Sequence, residues 1–143
     1  EMKLALAVAF REAIKIAGIE AHVASEGPTV KLGPSGRGAE PDALVYLGPK
    51  VPRDSLVVPE PVIVCEVLSP STAKHDMSAK LEGYFALPSV QHYIIADPDR
   101  PMLIVHSRGS GSTFSTTLVS DPAAILRLDP PGLSVALAEV LAG

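Results

Sequence analysis

The most constraining feature of the sequence is an apolar stretch that a single acid interrupts. Residues 62–68 read Val-Ile-Val-Cys-Glu-Val-Leu. Such a continuous apolar run is typical of a strand buried on both faces, within a sheet that has helices packed against it. A carboxylate at Glu66 costs several kcal/mol unless it is paired, protonated or bound to a metal. The alternative is a glutamate at the exposed end of the strand, paired with a lysine.

Helical and extended patterns alternate along the rest of the chain. Residues 3–17 predict a helix that ends at Gly18, and its apolar stripe is Leu4, Ala7, Val8, Ile14 and Ala17. Loops are predicted over 33–38 and 107–113, which are rich in Gly and Ser. The other predicted elements are strands at 22–24, 29–32, 42–47, 92–96, 102–106 and 114–119 and helices at 73–87 and 133–141. This order predicts a mixed α/β fold in which a central mixed β-sheet is flanked by helices.

Length and composition limit the class of protein. A chain of 143 residues, 47% hydrophobic and 20% charged, fits one globular domain over residues 1–143. No apolar run approaches the roughly 20 residues of a membrane-spanning helix, so no membrane partner is expected. The single cysteine, Cys65, excludes an internal disulfide and a cysteine-based zinc site, and it fits a cytoplasmic location. The net charge of −4 argues against a strong sequence-independent DNA binder but does not argue against a carboxylate-rich metal site.

A second carboxylate makes the case for metal chemistry. Asp42 follows Pro41 and opens a predicted strand beside the one that carries Glu66. Hard cations such as Mg²⁺ take oxygen ligands and keep several waters, so two carboxylates on neighbouring strands suit phosphodiester hydrolysis. Asp76, Lys80 and Tyr84 form one stripe of the helix that follows, and Lys80 could stabilise developing negative charge. The alternative for this stripe is an exposed Asp-Lys pair on a solvated face.

The combination of motifs resembles a known family. The sequence resembles the putative restriction endonuclease family of the PD-(D/E)XK nuclease superfamily over nearly the whole chain. The matching motifs are Pro41-Asp42, the run from Glu66 to Thr72, Asp76, Lys80, Tyr84, the run from His92 to Pro98 and the run from Leu128 to Leu133.

The resemblance implies a restriction-endonuclease-like core and a set of site residues. Asp42, Glu66 and the backbone carbonyl of Val67 are expected to hold Mg²⁺ or Mn²⁺. The superfamily's lysine stands two residues after the acid, where this chain has Leu68, so the resemblance assigns that role to Lys80 of the following helix.

Four further residues are candidates for supporting roles, each with a plainer alternative. Glu12 resembles the additional acid of some superfamily members, or it is a solvent-facing helix residue. Ser69 could contact phosphate, although capping a helix explains it with less assumption. Asp76 is expected to orient Lys80; the alternatives are a direct metal role and the exposed Asp-Lys pair described above. Tyr84 could line the substrate cleft or simply pack in the core.

The leading functional hypothesis is a metal-dependent endonuclease. Asp42 and Glu66 would hold Mg²⁺, water would attack phosphorus in DNA, and Lys80 would stabilise the transition state. The alternative is a catalytically inert nuclease-fold module for binding or assembly, which the acidic charge favours. A homodimer is expected from the resemblance alone, because enzymes that cut both strands commonly pair two sites.

Overall fold

A computed structural model describes residues 1–32, 37–52, 57–69 and 77–141. Within these ranges the helices are α1 (Met2–Ala17), α2 (Met77–Phe85) and α3 (Leu137–Leu141). The strands are β1 (Ala21–Ala24), β2 (Val30–Leu32), β3 (Arg37–Ala39), β4 (Ala43–Leu47), β5 (Pro61–Val67), β6 (His92–Asp97), β7 (Met102–Arg108), β8 (Phe114–Val119), β9 (Ile125–Leu128) and β10 (Leu133–Ala136). No helix in the described ranges is both long and apolar enough to cross a membrane.

The central sheet is mixed, as the sequence predicts. Its six strands lie in the order β1-β4-β5-β6-β7-β8. The β5–β6 pair is parallel, and the other neighbours in this sheet are antiparallel. The apolar strand β5 therefore lies inside the sheet, with a neighbour on each side. Two smaller sheets in the described ranges pair β2 with β3 and β9 with β10.

Each face of the sheet has its own hydrophobic core. One face packs against α1 and the C-terminal segments through side chains that include Val45, Ile63 and Cys65. The opposite face packs against α2 through Leu44 and Val64, among others. Because successive side chains of a strand point to opposite faces, Glu66 shares the α2 face with Val64. Asp42 stands immediately before β4, at the end of the strand that pairs with β5.

The predicted apolar stripe of α1 is wrong in part. Leu4 and Val8 are 63% and 54% exposed, whereas Met2, Leu6 and Phe10 are buried against the sheet. Apolar residues occur on more than one side of this helix, so helical spacing alone fits more than one stripe. The stripe that packs against the sheet is the one that contains the large Phe10 side chain.

The predicted C-terminal helix over 133–141 is also wrong in its first half. Residues Leu133–Ala136 form β10, which pairs with β9. Strand β9 is not among the strands that the sequence predicts. Leu133 and Val135 are buried, while Ser134 between them is exposed, which is strand alternation. Only Leu137–Leu141 is helical. The apolar spacing of this short segment fits a helix as well, and pairing with β9 selects the strand.

Two predicted loops are shorter than expected. Gly38 lies in β3, inside the predicted loop over 33–38, and residues 33–36 lie outside the described ranges. Ser107 and Arg108 extend β7 into the predicted turn over 107–113. In both places pairing with a neighbouring strand overrides the loop-forming composition.

His92 ties the sheet to the C-terminal segment. Its side chain is buried, with Nδ1 2.7 Å from the Ser107 hydroxyl and Nε2 2.7 Å from the Pro130 carbonyl oxygen. The carbonyl can only accept, so Nε2 donates, and a neutral ring then accepts from Ser107 at Nδ1. Burial lowers the pKa of His92.

This lowered pKa predicts acid sensitivity of the fold. Below the ordinary histidine pKa of about 6.5, the unfolded chain binds a proton that the folded chain resists. The stability that His92 contributes is therefore complete above that pH and is lost as the pH falls toward the lower folded pKa. We expect the urea midpoint to fall between pH 7.5 and pH 5, and to fall less in His92→Gln. Equal slopes for the variant and the parent would contradict this role.

Candidate active site

Asp42 is fixed across the β4–β5 pair by its backbone and its side chain. Its N–H donates to the carbonyl of Cys65 (3.0 Å), the residue that pairs with Ala43 in the ladder. Its carboxylate Oδ2 accepts a hydrogen bond from the backbone N–H of Val67 at 2.7 Å. The carboxylate of Asp42 is thereby held beside the residue that follows Glu66.

Glu66 is held by two side chains of α2. Its Oε2 accepts a hydrogen bond from the Tyr84 hydroxyl (3.0 Å) and lies 3.1 Å from Lys80 Nζ. Lys80 and Tyr84 are four residues apart, so they lie on the same face of α2. The Glu66 side chain is only 12% exposed, and Lys80 is 31% exposed. The sequence also allows an exposed glutamate paired with a lysine. Glu66 does pair with Lys80, but both side chains are largely buried.

Lys3 pairs with Asp42, a contact that the sequence does not predict. Its Nζ lies 3.2 Å from Asp42 Oδ1, and its side chain is 56% exposed. Lys3 belongs to the first turn of α1, far from Asp42 in sequence. The helical spacing of Lys3 indicates only that it lies on a polar side of α1. The ion pair with Asp42 forms because α1 packs beside the start of β4.

The two carboxylates act on the same buried groups. Burial is the main cause of the raised pKa of Tyr84, and the negative charges of Glu66 and Asp42 raise it further. The pKa of Tyr93 and that of Cys65 are raised by burial and by the same two acids. Both acids therefore lie close to the buried Tyr84 and Tyr93 side chains on the α2 face and to Cys65 on the opposite face. Cys65 is fully buried and stays a protonated thiol, which agrees with a core role and not with a nucleophile.

Tyr93 leaves an open hydrogen-bonding position among these buried side chains. Its hydroxyl is buried and has no hydrogen-bond partner within the described part of the chain. Its ring lies against Tyr84, with a centroid distance of 5.0 Å. An unpaired buried hydroxyl costs about 1–3 kcal/mol, and this hydroxyl lies near enough to Glu66 for the acid's charge to raise the pKa of Tyr93.

The donor set around these acids is suited to a hard cation. Across an antiparallel ladder the N–H and C=O of one residue point to the same neighbouring strand, so the Val67 carbonyl faces Asp42 as its N–H does. Two carboxylates and a carbonyl supply oxygen ligands, and Mg²⁺ usually completes its shell with water. The described residues contain no cluster of three or more His, Cys, Asp or Glu side chains that could hold a metal. Only two carboxylates and one carbonyl are therefore offered here, a set whose oxygen chemistry suits Mg²⁺ or Mn²⁺ with water in the remaining positions.

The other predicted site residues have different placements. Asp76 lies outside the described residues, as does the predicted helix before Met77. Glu12 is exposed on α1, nine residues beyond Lys3 and therefore about 14 Å further along the helix axis. Ser69 follows β5 and is partly buried. The geometry thus brings together Asp42, Glu66, Lys80 and Tyr84, and it leaves Glu12 on the surface of α1.

Comparison with known proteins agrees with this architecture. A family model described as Uma2, putative restriction endonuclease, matches residues 1–138. Among solved structures, the chain is similar to a putative nuclease belonging to DUF820 from Anabaena variabilis ATCC 29413, with a TM-score of 0.73 and 16% sequence identity. The match covers 99% of this chain and 78% of that one. No curated protein matches. The restriction-endonuclease-like fold is therefore confirmed, and the chain belongs to the Uma2 family of putative restriction endonucleases.

Proposed function

We propose that the protein hydrolyses phosphodiester bonds in DNA with the help of Mg²⁺ or Mn²⁺. The observation that carries the proposal is the hydrogen bond from Val67 N–H to Asp42 Oδ2, which fixes one carboxylate next to the residue that bears the other. Family membership supports a nuclease. Asp42, Glu66 and the Val67 carbonyl would hold the cation, which would supply Lewis-acid activation of the phosphodiester.

The two lysines have distinct parts in this proposal. Each now neutralises one carboxylate, Lys3 at Asp42 and Lys80 at Glu66. Lys80 is partly buried, so its charge is less screened by solvent, and it would bind a phosphate oxygen and stabilise the charge that develops there. Lys3 is mostly exposed and would help to retain the phosphate backbone at the site. Local cations of this kind reconcile DNA binding with a net charge of −4.

Tyr84 acts as a positioning residue. Its hydroxyl donates to Glu66 Oε2, and its ring is completely buried between α2 and the sheet. Burial raises its pKa, so the hydroxyl stays protonated and keeps donating throughout the physiological pH range. This contact fixes the rotamer of Glu66 and leaves its other oxygen, Oε1, for a cation.

A plasmid-nicking assay tests the proposal. We expect supercoiled DNA to be cut with Mg²⁺ or Mn²⁺ and to stay intact in EDTA. Lys80→Met should cut about 100-fold more slowly, because removal of one charge-stabilising donor costs 10²–10³ in rate. Lys15→Met, which changes an exposed lysine at the other end of α1, is the control and should cut at the parental rate. Full activity of Lys80→Met would reject its role. DNA that binds but is never cut would favour the inert module.

A further inference from the structure

Strand β8 forms an edge of the central sheet that lacks the usual protection. It pairs with β7 and has no second neighbour among the described strands. Exposed strand edges usually carry Lys, Pro or a bulge, which prevents pairing with another chain. Residues 109–120 contain neither a charged residue nor a proline, although 20% of the whole chain is charged. Nothing in this stretch opposes the addition of another strand.

The same edge carries exposed apolar side chains beside an apolar groove. Phe114 and Leu118 are 48% and 63% exposed. They lie on the α2 face of the sheet, because Phe114 stacks on Phe85 of α2 with a centroid distance of 4.6 Å. A groove of about 500 Å³ opens at this point, lined by Leu81, Glu82, Phe85, Ala86 and Phe114.

We propose that β8 pairs with β8 of a second copy, antiparallel and centred on Thr116. The six strands of each copy would then form one continuous sheet. In this register Leu118 of the second copy lies opposite Phe114, and Phe114 of the second copy lies opposite Leu118. Directly opposed side chains in an antiparallel pair have Cβ atoms about 5 Å apart, so each exposed Leu118 contacts the Phe114 wall of a groove.

The symmetry of the strand is the reason for choosing a second copy as the partner. Phe114 and Leu118 each stand two residues from Thr116, on the same face. A twofold axis through Thr116 therefore brings each exposed side chain to the other's position and buries both pairs at once, as an isologous interface requires. An unrelated strand would need matching apolar residues at both places.

The proposed dimer would also arrange two active sites. Seven strand spacings of about 4.8 Å separate the two β5 strands, which places the two Glu66 side chains roughly 35 Å apart. Neighbouring strands also rotate by about 20–25° relative to one another, so the two sites would face different directions.

Sedimentation of the 143-residue chain at micromolar concentrations tests the interface. We expect a dimer whose dissociation constant rises about 100-fold in Leu118→Lys, because both apolar contacts between Leu118 and Phe114 are lost. Ile125→Lys is the matched control, because Ile125 is also 63% exposed but lies on β9. It should remain dimeric. A monomeric parent, or a Leu118→Lys protein that is as dimeric as the control, would overturn the proposal.

A cysteine variant tests the register separately. In Thr116→Cys the two new thiols face each other across the axis, so mild oxidation should give a disulfide-linked dimer. Ser112→Cys, in the exposed turn before β8, should oxidise much more slowly. Equal rates would reject the register. These readouts need no DNA: a monomer that cuts plasmid overturns only the interface, and a dimer that never cuts overturns only the proposed function.

Discussion

Asp42→Asn and Glu66→Gln are each expected to reduce metal-dependent cleavage by at least about 1,000-fold. Each change removes one negative charge from the cation site and preserves the shape of the side chain. Asparagine at position 42 keeps an oxygen to accept from Val67 N–H, and glutamine at position 66 keeps an acceptor for Tyr84. The loss should therefore come from the missing charge and not from unfolding, and a plasmid assay with thermal melting of each variant separates the two.

The matched control for these variants is Glu82→Gln. Glu82 is exposed on α2, close in sequence to Lys80, and neutralising it changes the net charge by the same amount. We expect parental cleavage rates from this protein. If the control lost activity to the same extent as Asp42→Asn, overall charge and not the cation site would explain the effect. Parental rates in Glu66→Gln would remove Glu66 from the site.

Arg108→Met is expected to produce the largest loss of stability among single surface-accessible changes. The Arg108 guanidinium donates to the carbonyls of Val90 (2.8 Å), Phe85 (3.0 Å) and Leu87 (3.0 Å), two of them at or just beyond the C-terminus of α2. It also lies over the rings of Phe85 and Phe114, at 5.3 and 5.6 Å from their centroids. A cation at a helix C-terminus that satisfies several carbonyls is strongly favourable.

The expected cost of Arg108→Met is about 3 kcal/mol, because charged hydrogen bonds and cation–π contacts disappear while the carbonyls remain partly buried. This cost corresponds to a fall in Tm of roughly 10 °C, measured by circular dichroism. Arg127→Met is the control, since Arg127 donates a single exposed hydrogen bond within the described part of the chain, to Ser134 Oγ. It should lower the stability by less than about 0.5 kcal/mol. Equal shifts in both proteins would show that the carbonyl contacts contribute little.

Arg108 matters to the site because it anchors the C-terminal end of α2 to the sheet. Lys80 and Tyr84 lie on this helix and reach Glu66 from it. We expect the loss of this anchor to loosen α2 before it disturbs the strands. The stability of α2 and the geometry of the acid site are therefore linked.

The parts of the fold that the sequence predicts well are those with local signals. The run over 62–68 identifies β5 because a buried strand in a mixed sheet requires apolar residues on both faces. Asp42, Glu66 and Lys80 stand out because charged groups near such a strand need partners. The structure supplies these partners, including the Lys80–Glu66 ion pair.

The parts that the sequence does not predict depend on tertiary contacts. Lys3 meets Asp42 only because α1 packs beside the start of β4, and no spacing within α1 reveals this. Arg108 belongs to a segment with turn-like composition, and its three carbonyl partners are distant in sequence. The β9–β10 hairpin follows from pairing between two short segments that are ambiguous alone.

Whether Asp42 and Glu66 share a cation is best decided by a crystal of this protein soaked in Mn²⁺ and measured at the manganese absorption edge. We expect one anomalous peak between the carboxylates of Asp42 and Glu66, within about 2.2 Å of an oxygen from each and near the Val67 carbonyl. Lys3 and Lys80 should have moved away from the carboxylate oxygens that they now contact. Clear Mn²⁺ density elsewhere, with both lysines still paired to the two acids, would rule out a cation site at Asp42 and Glu66.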